Sequence, residues 1–360
     1  MAEGQIAVAD IEAALADVKD PESGREALKT QQIQDIHVEQ DSVRLTLALT
    51  SHSSPLRDEL VKSIEQRLSE KFPHLKSIKV ELANYERLPQ QLGEVGLTAK
   101  SVIAVGSGKG GVGKSTIAAS LALGLKKSGC VVGLMDADVY GPSVPHLLGI
   151  QGRPQVIDNK IQPIATGGMP VMSMGFLVPT DEAVVWRGPM LHGAITQFLR
   201  DTQWGNLDYL IIDMPPGTGD IALTLSQLLP LTGAIVVCTP QDVALLDAVK
   251  AISMFRKVNI PVLGMIENMS GFVCPDCNKR YDIFGSGGAQ KRAEELNVPF
   301  LGDVPINIQI RVHGDEGRTA ANFQDPLVSP YLEKICYRLA RNLADAAAEE
   351  PPKPQLPVLG

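Results

Sequence analysis

Several features are scarce in this chain, and each scarcity closes off a class of function. No apolar run is long enough to span a bilayer. Basic residues do not outnumber acidic ones, and the formal net charge of -8 argues against nucleic acid or an anionic membrane surface as the main partner. The Met1–Asp20 stretch carries Glu3, Asp10, Glu12, Asp17 and Asp20, and it has neither the basic nor the apolar region of a secretory signal. Aromatic residues are sparse, and the six histidines are dispersed without an H-E-x-x-H pair. Cysteines number five, and only Cys274 and Cys277 lie close together, so a disulfide framework is not expected. These absences leave a cytoplasmic protein with no membrane and no nucleic acid among its expected partners.

What is present is dominated by one stretch. The apolar run Val102–Val105 leads into Gly108-Lys109-Gly110-Gly111-Val112-Gly113-Lys114-Ser115-Thr116, and Ile117–Leu123 follows with helical character. This is strand, glycine loop and helix, the context that the pattern G-x-x-x-x-G-K-S requires. Its glycines let backbone N–H groups converge on phosphate oxygens, helped by the positive end of the helix dipole. Lys114 is expected to reach the terminal phosphates of a nucleotide triphosphate, and the Ser115 hydroxyl to ligate magnesium. Lys109 is an extra loop lysine that the generic pattern does not demand.

From Ser101 onward, short apolar runs (Val102–Val105, Val131–Met135, Tyr209–Ile212, Ile235–Cys238, Val262–Ile266) alternate with helical segments. Runs without strict polar alternation suit a sheet covered on both faces, so the expected fold is α/β, a P-loop NTPase with a doubly wound, mainly parallel sheet. Ahead of it, residues 1–85 read as a small α/β domain: helical spacing over Ile6–Val18, alternation over Val43–Leu49 and Ile78–Leu82, and a helix over Pro55–Leu68. Residues 86–100 read as a linker, 101–350 as the ATPase domain closing on an amphipathic helix over Tyr331–Ala348, and 351–360 as a disordered tail.

Acids end the expected strands. Asp136 and Asp138 follow the second strand of the large domain, with Asp136 placed toward magnesium and Asp138 toward the attacking water. Asp213 ends a buried strand as a Walker B acid and is expected to hold magnesium; in the Pro215-Pro216-Gly217 bend that follows, the Gly217 N–H is a candidate sensor of the terminal phosphate. Asn268 in Glu267-Asn268-Met269 is a candidate for contact with the nucleotide base, and Trp186-Arg187-Gly188-Pro189 is an aromatic-basic turn leading into a helix.

The second centre is Cys274-Pro275-Asp276-Cys277. Zinc and iron-sulfur clusters usually take four protein ligands, and this chain has no second close pair. A two-fold dimer in which each copy donates both thiols reaches four, while a redox dithiol and a zinc site are the competing readings.

Taken together, the loop from Lys109 to Thr116, Asp136–Ser143, Trp186–Pro189, Asp213–Asp220, Thr239–Asp242, Glu267–Ser270 and the cysteine pair resemble the Mrp (ApbC) iron-sulfur cluster carrier ATPases of the ParA and MinD deviant Walker A superfamily. The small domain resembles one found ahead of that ATPase and in other iron-sulfur assembly proteins; there the pattern usually reads Thr-Ser-x-x-Cys-Pro-Leu, whereas Ser54 stands at the cysteine position here. The resemblance implies an ATP-hydrolysing homodimer in which Lys109 acts on the nucleotide of the opposite copy. It also implies a 4Fe-4S cluster bridged by Cys274 and Cys277 and delivered to apoproteins, with assembly factors as further partners. Two rival readings are a positioning or partition switch with structural zinc, against which the lack of a basic amphipathic C-terminal helix argues, and a nitrogenase-reductase-like electron donor, which normally uses two cysteines far apart in sequence rather than a close pair.

Overall fold

The computed structural model describes residues 6–177, 188–217, 219–274, 276–277 and 279–350. Trp186, Arg187 and the 351–360 segment lie outside the described residues. The chain divides into two compact units, one holding residues 6–87 and 340–350 of those described, the other residues 88–339.

In the small unit, α1 (Val8–Leu15), β1 (Ile33–Glu39), β2 (Ser42–Leu49), α2 (Arg57–Lys71) and β3 (Ser77–Asn84) build a three-stranded sheet. β1 pairs antiparallel and β3 parallel with the central β2. The alternation of Val43, Leu45 and Leu47 puts these side chains on the core face, against Ile11 and Leu15 of α1 and Ile64 and Leu68 of α2. Pro55 does not open α2. It lies in a 3-10 turn, Ser51–Leu56, and the helix begins at Arg57.

The large unit starts with β4 (Gln91–Leu92) and β5 (Leu97–Ser107), which pair antiparallel, so the segment read as a linker already contributes sheet. There follow α3 (Lys114–Lys127), β6 (Val132–Asp136), α4 (Val144–Leu147), the two-stranded hairpin of β7 (Gln155–Ile157) and β8 (Lys160–Gln162), then β9 (Ile164–Thr166), β10 (Met169–Ser173) and α5 (Gly188–Asp201). Beyond these come β11 (Leu207–Asp213), α6 (Gly219–Leu228), β12 (Gly233–Cys238), α7 (Asp242–Lys257), β13 (Val262–Val273) and β14 (Arg280–Tyr281). The chain closes with α8 (Gly288–Glu295), β15 (Phe300–Ile306), α9 (Ile308–Asp315) and α10 (Ser329–Glu349).

The sheet order is β14-β13-β12-β5-β11-β6-β10-β9, with β15 on β13 and β4 on β5. The pairings among β13, β12, β5, β11, β6 and β10 are parallel. From β5 the chain moves one way to β6, and from β11 it crosses to β12 on the other side of β5. That reversal makes the fold doubly wound and opens a crevice at the carboxyl ends of these strands. Both sheet faces are buried. Val102, Ala104, Leu210, Ile212 and Val236 share a core with Ile195 and Phe198 of α5, Leu225 of α6 and Phe255 of α7, while α3 covers the other face of β5, β6 and β11. This explains the continuous apolar runs.

The closing helix is present, but from Ala340 it groups with the small unit. Ala340 and Ala344, one turn apart, pack on Leu56 and Leu60, and Arg341 donates to Glu59 at 2.8 Å.

Candidate functional site

The register of three neighbouring parallel strands assembles the site. Asp213 at the end of β11 pairs with Asp136 at the end of β6, and Asp136 pairs with Ser173 at the end of β10. One strand further, Val105 of β5 is the register partner of Asp213, and β5 runs into the glycine loop. Gly111 and Gly113 adopt positive φ (78° and 80°), which a side chain would strain. A Cβ at Gly113 would also meet Asn268 Nδ2 at 2.2 Å.

Lys114 is buried and points at the acids. Its Nζ lies 2.5 Å from Asp213 Oδ1, 3.5 Å from Asp138 Oδ2 and 3.2 Å from Ser115 Oγ. Asp136 and Asp213 are fully buried. Asp136 accepts from the Asp138 N–H (3.1 Å), the Val144 N–H (3.2 Å) and the Ser173 hydroxyl (2.9 Å). Burial, and then the nearby Asp213 charge, push its carboxyl up to about 7. Burial also raises Asp213, against the pull of Lys114. Among the described residues, Asp213 Oδ2 is buried without a hydrogen-bond partner. Asp138 is held by the Tyr140 and Gly141 N–H groups at 3.1 and 3.2 Å.

Gly108, Lys109, Gly110, Val112 and Thr116 occupy the loop and helix start as the sequence places them. Lys109 is half-buried and makes no ion pair among the described residues; its carbonyl accepts from Ser107 Oγ at 2.9 Å. The Gly217 N–H, expected to sense phosphate, donates instead to the Ser107 carbonyl at 2.9 Å, so the bend after Asp213 is tied to the base of the loop.

Two adjoining cavities open here. One of about 300 Å³ is bounded by the glycine loop, Asp138 and Pro216. The other, of about 360 Å³, is mostly apolar, with Met269, Phe284, Pro305, Ile306 and Ile310 among its walls, and Gly113, Thr116, His146 and Leu147 line both. Together they suit a phosphate chain followed by an aromatic base. Asn268 lines the second cavity, but its Nδ2 donates to the Val112 carbonyl at 2.9 Å, so it tethers β13 to the glycine loop as well. Sequence reasoning missed Ser173, His146 and the β15–α9 wall. Asn307, which caps α9 through bonds of 2.7 and 3.2 Å to the Gln309 and Ile310 N–H groups, was the available signal for that wall.

The thiols sit elsewhere on the same sheet. β13 and β14 form an antiparallel hairpin through Phe272↔Tyr281 and Val273↔Arg280, and Cys274 and Cys277 lie in its turn. The Cys274 N–H donates to the Lys279 carbonyl at 3.0 Å, which closes the turn. Cys277 is exposed and Cys274 partly so. The Cys277 and Asp276 N–H groups, then the Cys277 thiol, hold the Cys274 thiol below its ordinary range. Among the described residues no group of three or more His, Cys, Asp or Glu side chains is placed to hold a metal. Cys130, Cys238 and Cys336 are buried, and burial pushes Cys238 and Cys336 up to about 12, so neither is a thiolate donor.

Comparison with known proteins shows the family. Residues 98–340 match the family described as NUBPL iron-transfer P-loop NTPase, and residues 8–82 match the iron-sulfur cluster assembly protein family. The chain is 44% identical over 350 residues to an iron-sulfur cluster carrier protein of Deinococcus radiodurans, covering 96% of this chain and 98% of that one. It is 48% identical over 271 residues to the iron-sulfur cluster carrier protein of Escherichia coli, covering 75% and 71%. Among solved structures it is similar to a nucleotide-binding protein from Archaeoglobus fulgidus in complex with ADP (TM-score 0.56, 41% identity, 63% of this chain and 90% of that chain). The cell division ATPase MinD of Pyrococcus furiosus shares the fold (TM-score 0.50, 20% identity, 66% and 97%). The chain belongs to the NUBPL iron-transfer P-loop NTPase family.

Proposed function

We propose that this member of the family is an ATP-hydrolysing carrier in which two copies hold one 4Fe-4S cluster between their Cys274 and Cys277 thiols and pass it to apoproteins. The observation that carries the reading is the hairpin turn that presents two accessible thiols, with no group of three or more His, Cys, Asp or Glu side chains placed to hold a metal among the described residues. Four thiolates then require a second copy, and a two-fold axis supplies them. A further support is the set of exposed apolar side chains Tyr140, Met190, Leu223, Val243 and Leu246. Each follows the carboxyl end of a sheet strand or stands in the first turns of the helix after one, so they rim the edge that bears the glycine loop. Such a surface suits contact with a second copy.

At the nucleotide, Lys114 and the loop N–H groups hold the phosphates, and the cavity beside Met269 and Phe284 takes the base. Ser115, Asp136 and Asp213 would hold magnesium; Asp213 Oδ2, buried without a hydrogen-bond partner among the described residues, fits that ion within an all-oxygen set. Bound there, magnesium would supply neutralisation of the phosphate charge. Asp138 orients the attacking water, and Lys109 of one copy places its charge at the nucleotide of the other. ATP then gates the affinity for the cluster or its release.

The test is transfer. Anaerobically loaded protein should restore activity to an apo 4Fe-4S enzyme with MgATP present. Failure to transfer from a fully loaded protein would overturn the carrier role.

A further inference from the structure

The nucleotide cavity and the thiol hairpin share one strand. β13 passes Asn268 at the glycine loop and reaches Cys274 six residues later, a span of at most about 20 Å. Between them the strand is irregular. Asn268 and Phe272 pair with Val304 and Ile306 of β15, so three residues of β13 stand opposite one. Met269 has φ 59° and Gly271 φ 69°. Such a bulge is a natural point for the strand to change its course.

One buried carboxylate fastens the bulge. Glu267 is fully buried, and its partners are hydrogen-bond donors rather than a cation. Oε1 accepts from the Ser270 hydroxyl at 2.6 Å and the Gly287 N–H at 2.7 Å, and Oε2 accepts from the Ala289 N–H at 2.6 Å. Ser270 lies in the bulge on the incoming leg of the hairpin. Gly287 and Ala289 lie at the start of α8, directly after its outgoing leg. Two further bonds brace the same legs: the Gly271 N–H to the Gly285 carbonyl (3.3 Å) and the Arg280 guanidinium to the Ser270 carbonyl (3.3 Å). Met269 and Phe284, one from each leg, are walls of the cavity assigned to the base. A base in that cavity would therefore meet both legs of the hairpin, and Glu267 is the buried carboxylate that ties them together.

We infer that Glu267 is a positioning residue that relays occupancy of the base cavity to the Cys274/Cys277 turn within a single chain. The relay rests on the nucleotide reading of the cavity and adds to it a physical route by which nucleotide alters the presentation of the thiols. It requires no γ-phosphate and no second copy, because its contacts belong to one chain.

The test uses the full-length, cluster-free protein under reducing, anaerobic conditions. Iodoacetamide modification of Cys274 and Cys277 is followed by peptide mass spectrometry, alone, with saturating MgADP, and with magnesium pyrophosphate, with ADP occupancy measured by equilibrium dialysis. In the wild type MgADP should change the modification rate about fivefold or more, at the lower end of usual coupling factors, and pyrophosphate should not. Glu267→Gln keeps the shape but loses one of the acceptor functions, and it should reduce the ADP effect to near unity at full occupancy. If that variant does not fold, Ser270→Ala, which removes the bulge contact alone, carries the test with the same expectation. An undiminished ADP effect in a folded, fully occupied variant, or an equal effect of pyrophosphate, would overturn the relay. Failure of the wild type to bind ADP would overturn the cavity assignment and the relay with it.

Discussion

The ammonium of Lys114 stands 2.5 Å from the carboxylate of Asp213, and Asp213 is the register partner of Asp136 on the neighbouring strand. One cation thus contacts the fully buried Asp213, beside the equally buried Asp136. Both acids are raised above their ordinary range, first by burial, so they bind protons more tightly in the folded chain than in the unfolded one. The burial of Asp136 therefore costs stability progressively as pH rises from about 4 to about 7, and its full cost is present above that window.

Removing the cation should deepen that cost. Lys114→Ala is expected to lose nucleotide binding and to destabilise the protein by about 3 kcal/mol at pH 8, because it leaves buried acids without their counter-charge. At pH 5.5, where Asp136 is largely protonated in the fold, the loss should be smaller. Urea unfolding at the two pH values measures this, and an equal loss at both would contradict the charge argument.

Lys109 gives the opposite split. Its side chain makes no ion pair among the described residues, so Lys109→Ala should leave stability within about 0.5 kcal/mol of wild type. If it acts on the nucleotide of the other copy, kcat should fall about a hundredfold or more, the usual loss for one preorganised donor, with nucleotide affinity changed far less. Steady-state hydrolysis beside equilibrium nucleotide binding separates the two, and turnover equal to wild type would exclude the role.

The small unit carries its own ion cluster. Asp20 is almost fully buried; burial alone would raise it, but the Ser23 hydroxyl and the Arg87 guanidinium, 2.8 Å away, outweigh burial and hold it below the ordinary carboxylate range. A depressed carboxylate adds stability above its unfolded pKa that is lost as pH falls through its folded value. Arg87 also reaches Glu22 at 3.3 Å, and Glu22 accepts from Thr50 at 2.5 Å beside the segment where Ser54 replaces the cysteine. Arg87→Ala should move acid unfolding of this unit to higher pH and cost about 1–2 kcal/mol at pH 7, discounted for its partial exposure. Circular dichroism against pH checks the direction.

The parts legible from sequence were those whose meaning is local. The loop from Gly108 to Ser115 is a contiguous pattern, and Asp136 and Asp213 end apolar runs that had to be strands. Ser173 and Glu267 were not legible, because their roles arise from pairing with strands and helix starts distant in sequence. Pro55 misled because proline opens an α-helix and a 3-10 turn equally well. Gly217 was recognised as a bend, but its N–H partner, the Ser107 carbonyl, is set by the register of β11 against β5.

The central claim is that two thiols per chain make a cluster site only when two chains meet. Anaerobic reconstitution with iron and sulfide, followed by metal analysis, absorption spectroscopy and mass measurement, tests it most directly. The expected result is about four irons per dimer in wild type, and loss of both cluster and its absorption in Cys274→Ser while nucleotide binding persists. Stoichiometric zinc with no cluster, or a full cluster on a monomer, would contradict it.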